Sequence, residues 1–168
     1  MRPGHTVREP PMNIEVQLKV QDLLARYIQT IDDNRLEDWP DFFTDQCRYL
    51  VTTAENIEQG LPLGMIYATS RAMLRDRVRS LREANVYEAQ RYRHVIGPPL
   101  IAPGEGAEVR ARTNFIVVRI MHTGETLIFA SGQYDDRIVV TEKGDARFAE
   151  KLVILDSRQI DTLLAIPL

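Results

Sequence analysis

Three histidines, one cysteine and scattered carboxylates are what this chain offers for catalysis or metal binding. His5 lies in a proline-rich N-terminal stretch, and His122 precedes Thr123-Gly124 at a turn, where exposure is the default. His94 falls in an extended segment beside Tyr92 and Arg93. A site of two histidines and one carboxylate, the pattern that holds non-haem iron, would need His94 and His122 together. They belong to different strands, so no metal site is expected. Cys47 has no base near it in sequence to draw out a thiolate, and reads as a small core residue. There is no glycine-rich phosphate loop, no Gly-x-Ser-x-Gly, no His-Glu-x-x-His and no Cys-x-x-Cys. If the fold encloses a pocket, its polar groups would be Tyr49, His94, Asn114, Tyr134 and Asp156, but their spacing pairs none of them.

Arginine is the other chemical signal. The chain has 18 Arg against three Lys (Lys19, Lys143 and Lys151). Protein interfaces favour arginine, whose planar fork pairs bidentately, although a GC-rich genome gives the same bias. Seven arginines fall between Arg71 and Arg93 against Asp76, Glu83 and Glu88, a local charge of +4 in a chain of net charge −3. This cluster reads as a solvated helix face, a nucleic-acid patch or a contact for an acidic protein surface. Absence of lysine support and of any nucleic-acid motif argues against the second. The third is preferred, with Arg71, Arg75, Arg79, Arg91, Tyr92 and Arg93 as contact residues.

The elements that must position these groups centre on residues 107–156. Val109, Ala111, Thr113, Phe115 and Val117 alternate with Arg110, Arg112 and Asn114, which predicts a half-buried strand over 107–121. A second strand is expected over 125–140, with Leu127 and Phe129 facing opposite to Ile128, Ala130 and Tyr134, and a third over 147–156. Short glycine-bearing turns at 122–124 and 142–145 make these antiparallel hairpins. Fifteen residues at about 3.3 Å each span roughly 50 Å. A chain of this length has a radius of gyration of only about 15 Å. The sheet must therefore curl, with Gly132 the expected bend or bulge.

The N-terminal half supplies the filling. Residues 1–11 read as a disordered tail, and Met12 is an alternative start. Val16, Val20, Leu23, Leu24, Tyr27, Ile28 and Ile31 form one apolar helix face over 16–31. A short helix over 36–43 is anchored by Trp39, Phe42 and Phe43. A short strand over 47–53, a loop over 54–63 and the longest helix over 64–83 follow. A strand over 92–103 is interrupted by Gly97-Pro98-Pro99, so it belongs at an edge. Residues 157–165 suggest a last helical turn. The apolar ending through Leu168 must dock on this chain or on a neighbour. The pattern is α+β, with helices in the concavity of one bent, mostly antiparallel sheet.

Composition bounds the class. One domain over 12–168 is expected, with ordinary globular composition. The single cysteine forms no internal disulfide and suits a reducing cytoplasm, and no segment reads as membrane-spanning or secretory.

The segments Tyr87–Pro99, Thr113–Arg119, Ile128–Asp136 and Leu155–Ser157 resemble, in order and spacing, the small (beta) subunits of aromatic-ring-hydroxylating dioxygenases. Trp39–Phe43 followed by Cys47-Arg48-Tyr49 is similar too. Within that family, 81–85, 119–126 and 161–168 look most like the terephthalate branch, with the salicylate and anthranilate branches near it. The resemblance implies a nuclear-transport-factor-2-like cone. It implies a hetero-oligomer of three large (alpha) and three small (beta) subunits, the small ones associating as a trimer. The Rieske 2Fe-2S cluster and mononuclear iron would belong to the large subunit, with NAD(P)H electrons arriving through a reductase. No catalytic, cofactor or metal residue carries over to this chain. Arg71–Arg93 and Leu168 become candidate subunit contacts, with neither nucleic acid nor membrane as partner. Two other readings stay open: a stand-alone dehydratase or isomerase using His94 and an acid, and a ligand- or protein-binding module of the same fold.

Overall fold

The computed structural model describes residues 13–61, 64–84, 88–141, 144–157, 164 and 166–168. The expected tail over 1–11, the alternative start at Met12 and nearly all of the last helical turn lie outside them.

Helix α1 spans Ile14–Asp32, and the Asn13 side chain caps it by accepting the Glu15 N–H at 2.9 Å. Its expected apolar face is the buried one, through Val20, Leu23, Leu24, Tyr27 and Ile31. A single 3-10 turn, Trp39–Phe42, replaces the expected short helix, with Pro40 in its first turn. Strand β1, Phe43–Thr53, leads to a five-residue helix α2, Ala54–Glu58, where a loop was expected.

The expected long helix over 64–83 divides in two. Residues Ile66–Ser70 form strand β2, paired antiparallel with β1, and only Arg71–Glu83 is helical (α3). The Ser70 hydroxyl accepts the Met73 N–H and starts α3, so a cap sits where the helix was expected to continue. At 13 residues α3 is shorter than α1, which has 19. Leu74, Val78 and Leu81 face the core, whereas Met73 is exposed.

The rest of the sheet is β3 (Gln90–Ile96), β4 (Leu100–Pro103), β5 (Glu108–Met121), β6 (Thr126–Val140) and β7 (Ala146–Leu155). The seven-stranded sheet runs β2-β1-β7-β6-β5-β3, with β4 beside β5. The pairing of β1 with β7 is parallel and every other pairing is antiparallel. The Gly97-Pro98-Pro99 break separates β3 from β4, both at the edge on β5, as the prolines demand.

Curvature comes from irregular positions other than the expected one. Val117 faces Ala130 while Val118 faces Ile128, so Phe129 is the extra residue of a bulge. The bulge resets the inward phase of β6. Phe129 therefore lies on the same side as Ala130 and Tyr134, not opposite them. A second bulge makes Ala149 the extra residue of β7. Gly132 is paired in register on both sides. A Cβ there would overlap the Ile154 carbonyl, so its glycine serves close approach of two backbones.

The inner face of the sheet, α1, α3 and the 3-10 turn close around one core. Trp39, Phe43, Tyr49, Tyr27 and Phe148 meet mostly edge to face, with ring centroids 5.1–6.2 Å apart. Each such ring, fully buried, contributes on the order of 1.5–3 kcal/mol.

Candidate functional site

The cone interior contains a charged pair that alternation places there. Asp136 shares the inward phase of Tyr134 and Ile138 on β6, and Lys151 that of Val153 on β7. The two residues face each other across the ladder. The Lys151 ammonium donates to both Asp136 oxygens, at 3.2 and 3.1 Å, with neither side chain exposed. It also lies 3.6 Å from the Tyr134 ring centroid, 4.5 Å from that of Phe148 and 4.6 Å from that of Tyr27. Aromatic faces thus supply negative potential around the ammonium beside its carboxylate partner. Burial pushes the Asp136 carboxyl up to about 6 and lowers the Lys151 ammonium, each held back by the other's charge.

Leu168 is held in the same interior by two phenols. Tyr27 donates to the Leu168 main-chain oxygen at 2.7 Å and Tyr49 at 3.2 Å, and the Leu168 N–H donates to the Tyr49 oxygen at 3.1 Å. Burial raises all three phenols, Tyr49 to about 12 and Tyr27 and Tyr134 well above the usual value. Tyr27 and Tyr49 act as neutral hydrogen-bonding groups, whereas Tyr134 offers its ring face to Lys151. Arg77, its guanidinium lowered by burial, donates to the Leu164 carbonyl at 3.0 Å and pins the same segment.

His94 has a partner that the sequence did not suggest. Asp32, the last residue of α1, meets His94 Nδ1 at 2.6 Å through Oδ1, and its Oδ2 accepts the His94 backbone N–H at 2.9 Å. One carboxylate thus fixes the ring and satisfies a backbone donor of edge strand β3. The two side chains are 0% and 3% exposed. His94 Nε2 is buried and finds no partner among the described residues. The pair has the elements of a general base and its orienting acid. Its sealed ring and backbone bond make it a strut between α1 and β3.

The expected pocket residues do not converge. Tyr49, His94 and Tyr134 are inside, but Asn114 is exposed on the outer face against Gln133, and exposed Asp156 accepts from Ser131. The expected contact residues divide as well. Arg71 pairs with Asp45, Arg75 with Asp41 and Arg79 with Asp76. Much of the arginine stripe thus meets carboxylates of its own chain, chiefly along 37–45, to which Arg82 adds Glu37. Tyr92 is buried and stacked on Phe129, and Leu168 is fully buried, so neither is available to a partner. Arg91 and Arg93 point outward.

Cys47 is buried and burial raises its thiol, as a core residue requires. Among the described residues no three His, Cys, Asp or Glu side chains gather to hold a metal ion. Asp32, Asp136 and Lys151 are the chemistry that sequence reasoning missed. The signal for the last two was a charge on an inward-facing parity position.

A family model for the SnoaL-like domain matches residues 12–149. The beta 2 subunit of the terminal oxygenase component of terephthalate 1,2-dioxygenase from Comamonas sp. is 45% identical over 152 residues, covering 90% of this chain and 98% of the relative. The chain belongs to the beta subunits of aromatic-ring-hydroxylating dioxygenases. The anthranilate 1,2-dioxygenase small subunit of Burkholderia cepacia is 38% identical, over 93% of this chain and 96% of that one. A crystal structure of a dioxygenase beta subunit from Novosphingobium aromaticivorans superposes with a TM-score of 0.83 at 39% identity, covering 91% of this chain and 97% of that one. The nuclear-transport-factor-2-like cone expected from the sequence is the fold of this family.

Proposed function

We propose that this chain is the non-catalytic small subunit of the terminal oxygenase of an aromatic-ring-hydroxylating dioxygenase acting on an aromatic carboxylate. It braces a large subunit that carries the Rieske 2Fe-2S cluster and the mononuclear iron, and electrons reach that subunit from NAD(P)H through a reductase. The assembly is cytoplasmic, with three large and three small subunits, the latter associating as a trimer. The observation that carries this reading is end-to-end similarity to a terephthalate dioxygenase beta subunit, 45% identical over 98% of the relative's length. The interior agrees with it. Among the described residues, Asp136 and Lys151 are fully buried against each other, and Tyr27 and Tyr49 hold the Leu168 main chain. No helix among the described residues is long and apolar enough to cross a membrane.

Of the arginines expected at subunit contacts, Arg91 and Arg93 are retained in this proposal, because both are exposed and Arg93 only approaches Asp32 at 3.7 Å. Gentle affinity purification of the tagged chain from its native host tests the reading. A large hetero-oligomer bearing iron and acid-labile sulfide is expected. A metal-free homo-oligomer that turns over a substrate alone would overturn it and return attention to Asp32 and His94.

A further inference from the structure

Residues 164 and 166–168 lie in the interior without belonging to a helix or strand. Leu164, Ile166 and Leu168 are buried, Leu168 completely. Among the described residues, side chains hold their main chain and no ladder does. Arg77 donates to the Leu164 carbonyl, Tyr27 and Tyr49 donate to the Leu168 oxygen, and the Leu168 N–H donates to Tyr49. The two phenols stand on α1 and β1 and the guanidinium on α3, elements whose own hydrogen bonds do not pass through this segment. Buried apolar side chains beside an oxygen fixed by a few convergent polar groups describe how a small ligand sits in a pocket. A cavity of about 550 Å³, open to solvent, lies against the segment. Ile166 is in its wall beside Ile31, Asp32, Tyr92, Arg91 and Arg93.

We infer that the position held by Leu168 is a binding site for a small carboxylate with an apolar body, and that this segment is its resident occupant, displaced through the cavity at Ile166. The chemistry of the contacts selects the ligand. Three of the four hydrogen bonds are donated to the segment's oxygens, so an occupant is held by its acceptors. Departure of the segment takes the Leu168 oxygen from two buried hydroxyls, which is unfavourable unless another acceptor replaces it. The nearby carboxylates are already engaged: Asp136 by Lys151, Asp32 by His94 and Asp33 by Arg35. The exposed Arg91 and Arg93 border the cavity with positive charge, which favours entry of an anion. The site belongs to this chain alone and stands independently of the subunit role.

Calorimetric titration of the purified full chain with benzoate and with octanoate tests it, the two acids distinguishing an aromatic from an aliphatic body. Ile166→Asp with Leu168→Asp disfavours the buried position of the segment. This variant is expected to bind one of the acids about tenfold more tightly than the parent, because the competing occupant no longer holds the site. Adding Tyr27→Phe and Tyr49→Phe removes both donors and is expected to weaken that binding about tenfold. A synthetic peptide of residues 161–168 is expected to compete with the acid. Circular dichroism and thermal melting verify that each variant is folded. If the released variant is unfolded, the parent is read by hydrogen exchange. Saturating acid is then expected to speed exchange of the Leu168 amide while β6 and β7 stay protected, and no change at Leu168 overturns the inference. A folded released variant that binds neither acid overturns it. Binding that neither the peptide nor the phenylalanine substitutions weaken also overturns it, since the acid then sits elsewhere.

Discussion

The two faces of the same strands carry opposite designs. On the inner face, the ionisable groups at Asp136 and His94 have each been given a partner: Lys151 for Asp136, and Asp32 for His94. On the outer face, apolar side chains such as Val95 and Ile128 stand in water with nothing over them. Polar groups inside and apolar groups outside both cost free energy in an isolated chain. The first cost is offset within the fold, and in the proposed assembly the second would be offset by a partner. Inner-face changes should therefore act on stability, and outer-face changes on assembly.

The strongest test of the inner face is the buried ion pair. Lys151→Met leaves the Asp136 carboxylate buried and uncompensated, with an expected loss of about 3–5 kcal/mol in urea unfolding. The double variant Asp136→Leu/Lys151→Met removes both charges and is expected to lie near the parent or above it. A double variant as damaged as the single one would show that the pair contributes more than it costs to bury. The pH dependence separates the same forms. An unfolded Asp titrates near 3.9, whereas Asp136 is pushed up to about 6 when folded. Between those values the folded state holds the extra proton, so this group's contribution falls as pH rises through the window. The parent should lose stability relative to the double variant from about pH 4 to pH 6.

Backbone approach is the next largest effect. Gly132→Ala drives a methyl group into the Ile154 carbonyl at the Leu155 end of the β6–β7 ladder. A loss of about 1–3 kcal/mol is expected, from overpacking that the paired strands cannot relieve. Gly60→Ala is the comparison, since nothing lies within 4 Å of the added Cβ and only its positive φ is strained. A loss at Gly132 no greater than at Gly60 would mean the sheet can shift to make room.

How much of this was readable follows from period and phase. The α1 face, the antiparallel run of long strands and the proline-broken edge strand are legible, because each rests on a repeat sustained over many residues. The bulges at Phe129 and Ala149 are not. A single extra residue shifts the inward phase without leaving a compositional mark, and Gly132 drew attention that belonged three residues earlier. The split of 64–83 into strand and helix was missed for a similar reason. Ile66, Ser70, Met73 and Leu74 fit a helical face, while Ser70 as a cap was the competing signal. Asp32 was read only as the end of α1, and nothing local to it points 62 residues ahead to His94. The outer apolar run was readable in Ile116, Val118 and Ile120, which follow Arg110, Arg112 and Asn114 at the outward positions of the strand.

Asp32→Asn probes where the two designs touch, since β3 carries His94 inward and Arg93 and Val95 outward. The substitution keeps one acceptor oxygen but removes the charge that receives both the ring and the backbone N–H of His94. Hydrogen bonds to a charged group contribute about 1.5–3 kcal/mol, and a neutral amide should recover part of this. A loss of roughly 1–2 kcal/mol is expected on that basis, smaller than for Lys151→Met because the imidazole left behind can be neutral. Hydrogen exchange should show faster opening of β3 with β6 and β7 unchanged, because Asp32 bonds only the edge strand. If exchange rises equally across the sheet, Asp32 supports the whole core. If neither stability nor exchange moves, the pair is not the strut, and its geometry would then have to be explained by chemistry at His94.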